Sequence, residues 1–311
     1  MSSFLYAIGL SLTSPPLLRI SNPLFADTFT MRIFRFIQRF LPICLCCALC
    51  ACKQTPPSSY SADLSVPPAV LDKKPTEQAP QEPQFSPFWD VSDVDISRVD
   101  NHKKLIAFTF DDAPTRSLEN ILAAFAAYNE SNSDCVANAT LFVNGYRFDR
   151  ALLHTAIAAG FELGNHTFSH LDLTKLTKEE LSKEIDETDA LLCTVDGKTR
   201  HLLRAPFGKL NELVKECSCT PIIDWTIDTL DWTKIDETEI FQQVYAGLFD
   251  GAIVLMHDGY GYTVSALKRL LPALKADGYQ VVSVSQLIKA HGCLFENGKV
   301  YIRARKQPLQ A

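Results

Sequence analysis

Two adjacent carboxylates close an apolar run in the stretch Thr109-Phe110-Asp111-Asp112-Ala113-Pro114. If that run is a strand, successive side chains point to different sides, so one aspartate can bind a cation while the other takes a proton from water. An isolated Asp-Asp pair also serves commonly as a turn or helix cap. Further on, Asn165-His166-Thr167-Phe168-Ser169-His170 spaces two imidazoles four apart. On one helical turn that spacing puts both on one face and lets them grip one cation. With a carboxylate they make three ligands. A catalytic zinc has this count and keeps a further position open, and the same set can hold iron or other transition metals. A lone histidine would more often be a satisfied polar core residue.

These groups need a frame. From about Lys103, short β-rich runs alternate with amphipathic helical stretches, the pattern of βα units around a parallel sheet. The strands expected are Leu105 to Phe110, Ala139 to Val143, Phe161 to Gly164, His201 to Arg204, Pro221 to Ile227, Ala252 to Met256 and Gln280 to Val284. Helices are expected over Ser117 to Tyr128, Lys178 to Leu192, Glu237 to Phe249 and Val264 to Ala276, each with apolar residues near a 3.6 period. Seven such units suggest an α/β barrel, with an open doubly wound sheet as the alternative. Asp111, Asp112, His166, Arg204, Asp228 and His257 fall at or just past the carboxyl ends of these strands, which is where a βα barrel builds its active site.

With these residues in view, the chain resembles the polysaccharide deacetylase family, the NodB-like carbohydrate esterases, over roughly Lys103 to His291. Five motifs stand in family order. The resemblance implies a distorted (β/α)7 barrel, with Asp111 as catalytic base and Asp112, His166 and His170 as ligands of a divalent metal, zinc first, cobalt or nickel next. The arginine of Arg204-Ala205-Pro206-Phe207 would position the base, since a guanidinium stays charged and can hold Asp111 ionised. Phe207 would offer its backbone N–H to the oxyanion. His257, in Leu255-Met256-His257-Asp258, would be the general acid. In Asp228-Thr229-Leu230-Asp231-Trp232, Asp228 is expected to raise the pKa of that histidine, with Asp231 the second candidate. Trp232 and Leu255 would line the acetyl pocket. Ala113 stands where the family usually has Gly, which matters only if that backbone needs a positive φ.

The implied activity is metal-assisted removal of N-acetyl groups from a cell-envelope polysaccharide, with N-acetylglucosamine of peptidoglycan the first substrate. An O-acetyl esterase and a non-catalytic carbohydrate-binding barrel are the competing readings. A net charge of -6 gives no basic field of the kind nucleic-acid binding uses.

The N-terminus reads as an address. From Met31, Arg32, Arg35 and Arg39 precede an apolar run too short to span a membrane, and Leu49-Cys50-Ala51-Cys52 resembles a bacterial lipobox. Residues 1–52 are thus expected to be a signal segment with Met31 as the true start, and Cys52 to carry lipid on an exported, membrane-anchored lipoprotein. Residues 53–102, rich in Pro and Ser, are expected to be a tether, residues 103–292 the catalytic domain, and residues 293–311 a tail. In that tail Glu296-Asn297-Gly298-Lys299 signals a hairpin between Leu294-Phe295 and Val300-Tyr301-Ile302. Cys135, Cys193, Cys217, Cys219 and Cys293 form no recognisable disulfide framework.

Overall fold

The computed structural model describes residues 86–233 and 235–306. The expected signal segment, Cys52 and the expected tether up to residue 85 lie outside the described residues. In chain order the elements are β1 (Lys104–Ala113), α1 (Leu118–Ser131), β2 (Thr140–Val143), α2 (Arg150–Ala158), β3 (Glu162–Asn165), α3 (Lys178–Asp196), α4 (Glu212–Cys217), β4 (Ile222–Ile223), β5 (Ile227–Asp228), α5 (Glu237–Ala246), β6 (Ala252–His257), α6 (Gly261–Ala276), β7 (Tyr279–Val282), α7 (Val284–Ala290) and β8 (Val300–Tyr301).

β1 is the axis of a parallel sheet in the order β3-β2-β1-β6-β5. One edge of β1 pairs with β6 from Ile106 to Asp111. The other is shared, with β7 beside Lys104 to Ala107 and β2 beside Thr109 to Ala113. That splitting distorts the barrel. Beyond β3 the ladder continues through single bridges, Asn165 to Leu203 and Leu203 to Ile222, into β4. The chain then bends at Asp224-Trp225-Thr226 into β5, which returns to β6. The expected strand from His201 to Arg204 is therefore one bridging residue, and the expected strand from Pro221 to Ile227 is two short ones at a corner.

The alternation along β1 sorts its side chains into two cores. Ile106, Phe108 and Phe110 face the helices, packed with α1 and α6 residues such as Phe125 and Leu267. Leu105 and Ala107 face the barrel interior with Phe142, Ile223 and Ile253. Phe108 and Phe110 are fully buried, which is worth on the order of 1.5–3 kcal/mol each. Thr109 and Asp111 continue the interior row towards the carboxyl end.

Two expectations change at the ends of the domain. Residues from Phe88 onward, which composition assigns to the tether, pack on the barrel: Trp89, Val91 and Val99 cover the interior core cluster, and the Trp89 N–H donates to the Phe295 carbonyl at 2.8 Å. Nor, among the described residues, does the tail pair with itself as a hairpin. Glu296 bridges antiparallel to Phe88, β8 runs parallel to β4, and Arg303 bridges to Ala252 at the start of β6. A turn signal fixes a reversal of direction, not the partner of the strand that leaves it.

Candidate active site

The two aspartates do not point to opposite faces as simple alternation requires. β1 bulges between Phe110 and Ala113, where two steps along β2 oppose three along β1, and Asp112 takes φ +63°. A bulge re-aims the side chains around it. Both carboxylates therefore reach one site. Ala113 is not among the positive-φ residues, so its methyl meets no backbone penalty.

The imidazoles also meet without the helical turn that their spacing suggests. His166 to His170 is a loop, with Thr167 and His170 at φ +66° and +56°. The ring centroids lie 5.0 Å apart. Asp112 Oδ1 is 3.5 Å from His170 Nε2 and 4.0 Å from His166 Nε2, and one donor atom from each residue lies within 4.8 Å of the others. His166 Nδ1 sits 2.8 Å from the Arg204 carbonyl, which can only accept. Nδ1 therefore carries the proton and Nε2 keeps its lone pair, the tautomer a metal requires. Burial outweighs the neighbouring carboxylates and lowers the pKa of His166, so the ring is neutral. This donor set fits a divalent cation, since ligands about 2.0–2.2 Å from a tetrahedral zinc lie roughly 3.5 Å apart.

Asp111 is held differently. Its Oδ1 accepts from Arg204 Nη1 at 2.7 Å, leaving Oδ2, which is 3.6 Å from His166 Nε2. Arg204 is completely buried, donates also to Thr109 Oγ1 and the Ile223 carbonyl, and lies over the Phe142 ring. Burial alone would raise the pKa of Asp111. The Arg204 charge and hydrogen bond, with the charge of His257, outweigh it and hold the carboxyl below its ordinary value.

His257 ends β6 directly opposite Asp111 in the ladder. Its Nδ1 donates to Asp231 Oδ1 at 2.7 Å, and its backbone N–H donates to Asp231 Oδ2 at 2.8 Å, an oxygen shared with the Thr263 hydroxyl. Burial opposes the imidazolium, yet the hydrogen bond to Asp231 and the charges of Asp111, Asp231 and Asp112 leave the pKa of His257 raised. The expected partner, Asp228, is not in contact. Its Oδ1 instead accepts the Leu230 N–H at 2.9 Å, opening a turn in which Leu230 takes φ +58°. That turn carries Asp231 under the histidine. Asp258 is also buried, tying the loop after β1 through Thr115.

Phe207 lies in a 3₁₀ turn at φ +61°, with its exposed ring edge-on to His170 at 4.7 Å. Trp232 is half exposed beside Asp231. Leu255 is buried, two residues before His257 on the interior side of β6. Among the described residues, every positive-φ residue other than glycine lies at this end of the barrel: Asp112, Thr167, His170, Phe207 and Leu230. Such backbone persists only where its surroundings over-determine it, as active sites do.

The polysaccharide deacetylase family model matches residues 98–218. The peptidoglycan-N-acetylglucosamine deacetylase of Bacillus cereus is 33% identical over 210 residues, covering 61% of this chain and 91% of that protein. The chain belongs to the polysaccharide deacetylase family. PgdA of Listeria monocytogenes, a peptidoglycan-N-acetylglucosamine deacetylase, is 33% identical over 215 residues, 68% of this chain; the chain spans less than half of that relative, 44% of its length. The solved peptidoglycan deacetylase PdaC of Bacillus subtilis superposes with a TM-score of 0.58 at 31% identity, over 62% of this chain and 94% of that one. The family's barrel is thus the frame on which these residues meet.

Proposed function

We propose that the domain hydrolyses the acetamido group of N-acetylated sugars in a cell-envelope polysaccharide, with peptidoglycan N-acetylglucosamine as the substrate. The observation that carries this reading is the facing pair on β1 and β6. Arg204 holds the pKa of Asp111 below its ordinary value and Asp231 helps to raise that of His257, beside a three-residue ligand group. Two titratable groups whose surroundings push their pKa values apart are an acid-base pair. The names of the Listeria and B. cereus relatives support the choice of polymer.

Asp112, His166 and His170 would hold one divalent cation, zinc first, with cobalt and nickel compatible with the same donors. When bound, the cation supplies Lewis acidity that polarises the acetyl carbonyl and makes water more acidic. Asp111 takes the proton of the attacking water on Oδ2, because Oδ1 is committed to Arg204. The Phe207 backbone N–H donates to the oxyanion, a role its side chain does not enter. Trp232 and Leu255 frame the acetyl group. His257, its Nδ1 held by Asp231, passes the proton on Nε2 to the departing amine, and acetate leaves.

The basic flank, short apolar core and Leu49-Cys50-Ala51-Cys52 box support export and lipid anchoring at Cys52. On a tether from that anchor, the domain would work on polymer close to the membrane. Incubating the zinc-loaded protein with muropeptides and with chitin oligomers tests the activity: the muropeptides should lose one acetyl mass per event, and faster. Turnover of O-acetyl esters alone would make the domain an esterase, and no mass change on any acetylated sugar would leave a binding barrel.

A further inference from the structure

The proposed chemistry leaves the buried imidazole of His201 unused. The His201 side chain is 0% exposed and lies between two carboxylates on the C-terminal half of α3. Asp189 Oδ1 is 2.9 Å from its Nδ1, and Asp196 Oδ2 is 3.2 Å from its Nε2. Carboxylates accept, so both ring nitrogens donate and the ring is an imidazolium. Burial works against that charge, but the hydrogen bonds to Asp189 and Asp196 outweigh it and raise the pKa of His201. Asp196, which burial would raise, is lowered by its bond to the same ring.

The cluster reaches towards the metal-ligand loop through one amide. Asp189 Oδ1 also accepts from Asn165 Nδ2 at 2.9 Å, and the second Nδ2 bond goes to the Ile185 carbonyl. A carboxylate admits only the NH₂ end of an amide, so Asn165 must turn Oδ1 to the Thr167 N–H, 2.8 Å away. Thr167 is the left-handed residue between the two histidines. The stretch that begins at His201 completes the hold, with the Leu202 carbonyl accepting the Asn165 N–H and the Arg204 carbonyl accepting His166 Nδ1.

We propose that Asp196, His201 and Asp189 form a buried ionic positioning cluster that sets the orientation of Asn165, and through it the backbone that presents His166 and His170. The proposal deepens the metal reading above and rests on those histidines being ligands. His201 is a positioning residue: its charge keeps Asp189 an acceptor, Asp189 sorts the two ends of the Asn165 amide, and Asn165 fixes Thr167. Charge-assisted bonds of this kind are the stronger ones, and loss of a group that orients a metal ligand from behind typically costs about tenfold to a hundredfold in affinity.

The test uses the full chain with His201→Gln, Asp196→Asn and, as control, Leu192→Ala, which removes buried mass from α3 outside the cluster. Amide exchange is read in the metal-free protein and zinc affinity by chelator competition. His201→Gln should speed exchange at Thr167 and Phe168 by about tenfold relative to β6 amides. It should weaken zinc by about tenfold to a hundredfold. Asp196→Asn should move both readouts the same way by less, and it carries the test if His201→Gln does not fold. Leu192→Ala should lower the melting temperature without selective change in either. Loop exchange that follows melting temperature alone in all the variants would overturn the proposal. Selective loop loosening in a protein that binds no zinc would instead retain the positioning role and remove the metal reading.

Discussion

His257 donates its Nδ1–H to Asp231 at 2.7 Å, while Asp228, three residues earlier, spends its carboxylate on the Leu230 N–H. The two aspartates should therefore separate cleanly on mutation. Asp231→Asn removes the charge and the strong acceptor that raise the pKa of His257, so turnover should fall and the alkaline limb of the pH–rate profile should move to lower pH. The loss should be on the order of tenfold to a hundredfold, within the worth of a positioned general acid. Asp228→Asn keeps an oxygen for Leu230 and should leave the alkaline limb in place. A shifted limb in Asp228→Asn, with none in Asp231→Asn, would reverse the pairing.

The adjacent aspartates make a second separation. Asp111→Asn should keep metal content nearly intact while turnover drops about a hundredfold to ten-thousandfold, since Arg204 would still find an oxygen to bind but no group would accept the proton. Asp112→Asn should lower both metal content and turnover, because Asp112 alone of the two reaches both histidines. Elemental analysis beside initial rates on a muropeptide decides it; equal metal loss in the two variants would merge their roles.

How much of this could be read beforehand follows from how local each feature is. The interior row of β1 and the placement of Asp111 and His257 at strand ends depend only on a period of two and a βα rhythm, and both are legible. The His166–His170 pair is legible as a spacing but not as a shape. Its loop is left-handed at Thr167 and His170, and no spacing rule anticipates that. Asp231 in place of Asp228 turns on the backbone of a single residue, Leu230. The break of the expected strand at Asp224-Trp225-Thr226 reflects closure of a barrel, where tertiary pairing overrides a run of β-forming residues. His201 carries no local signal, because its partners come from the next helix back and its target lies 36 residues upstream at Asn165.

Replacing Cys52 tests the anchor independently of the site. If the Leu49-Cys50-Ala51-Cys52 box is processed and lipidated, Cys52→Ser should release the mature chain from membranes into the soluble fraction while leaving muropeptide turnover by the purified protein unchanged. One acyl chain binds membranes only marginally and stable anchoring takes more than one, so the parent should resist salt and require detergent. A Cys52→Ser protein that still partitions with detergent as the parent does would place the anchor elsewhere.

The His201 cluster makes a prediction about stability and pH in the metal-free protein. The imidazole faces Asp189 and Asp196 from α3, with Arg200 Nη1 3.9 Å from the outer oxygen of Asp189, and its folded pKa is raised while the unfolded chain keeps the ordinary value of about 6.5. Below that ordinary value both states hold the proton, and the contribution of the cluster is present in full. Between the ordinary and the raised value the folded state binds more protons than the unfolded one, so stability falls as pH rises. Above the raised value the contribution is gone. His201→Gln has no proton to lose. The stability difference between parent and variant, from urea unfolding at a series of pH values, should be largest near pH 5.5, start to shrink from about 6.5, and level off on the alkaline side. Because the neutral amide of His201→Gln would take the imidazolium away from the buried Asp189 and Asp196, the variant should also be the less stable protein throughout the acidic part of that range. Curves that run parallel across the whole series would mean that His201 keeps its ordinary pKa on folding, and a difference that grew with pH would mean that the folded ring is neutral; in either case the ionic character of the cluster would have to be given up.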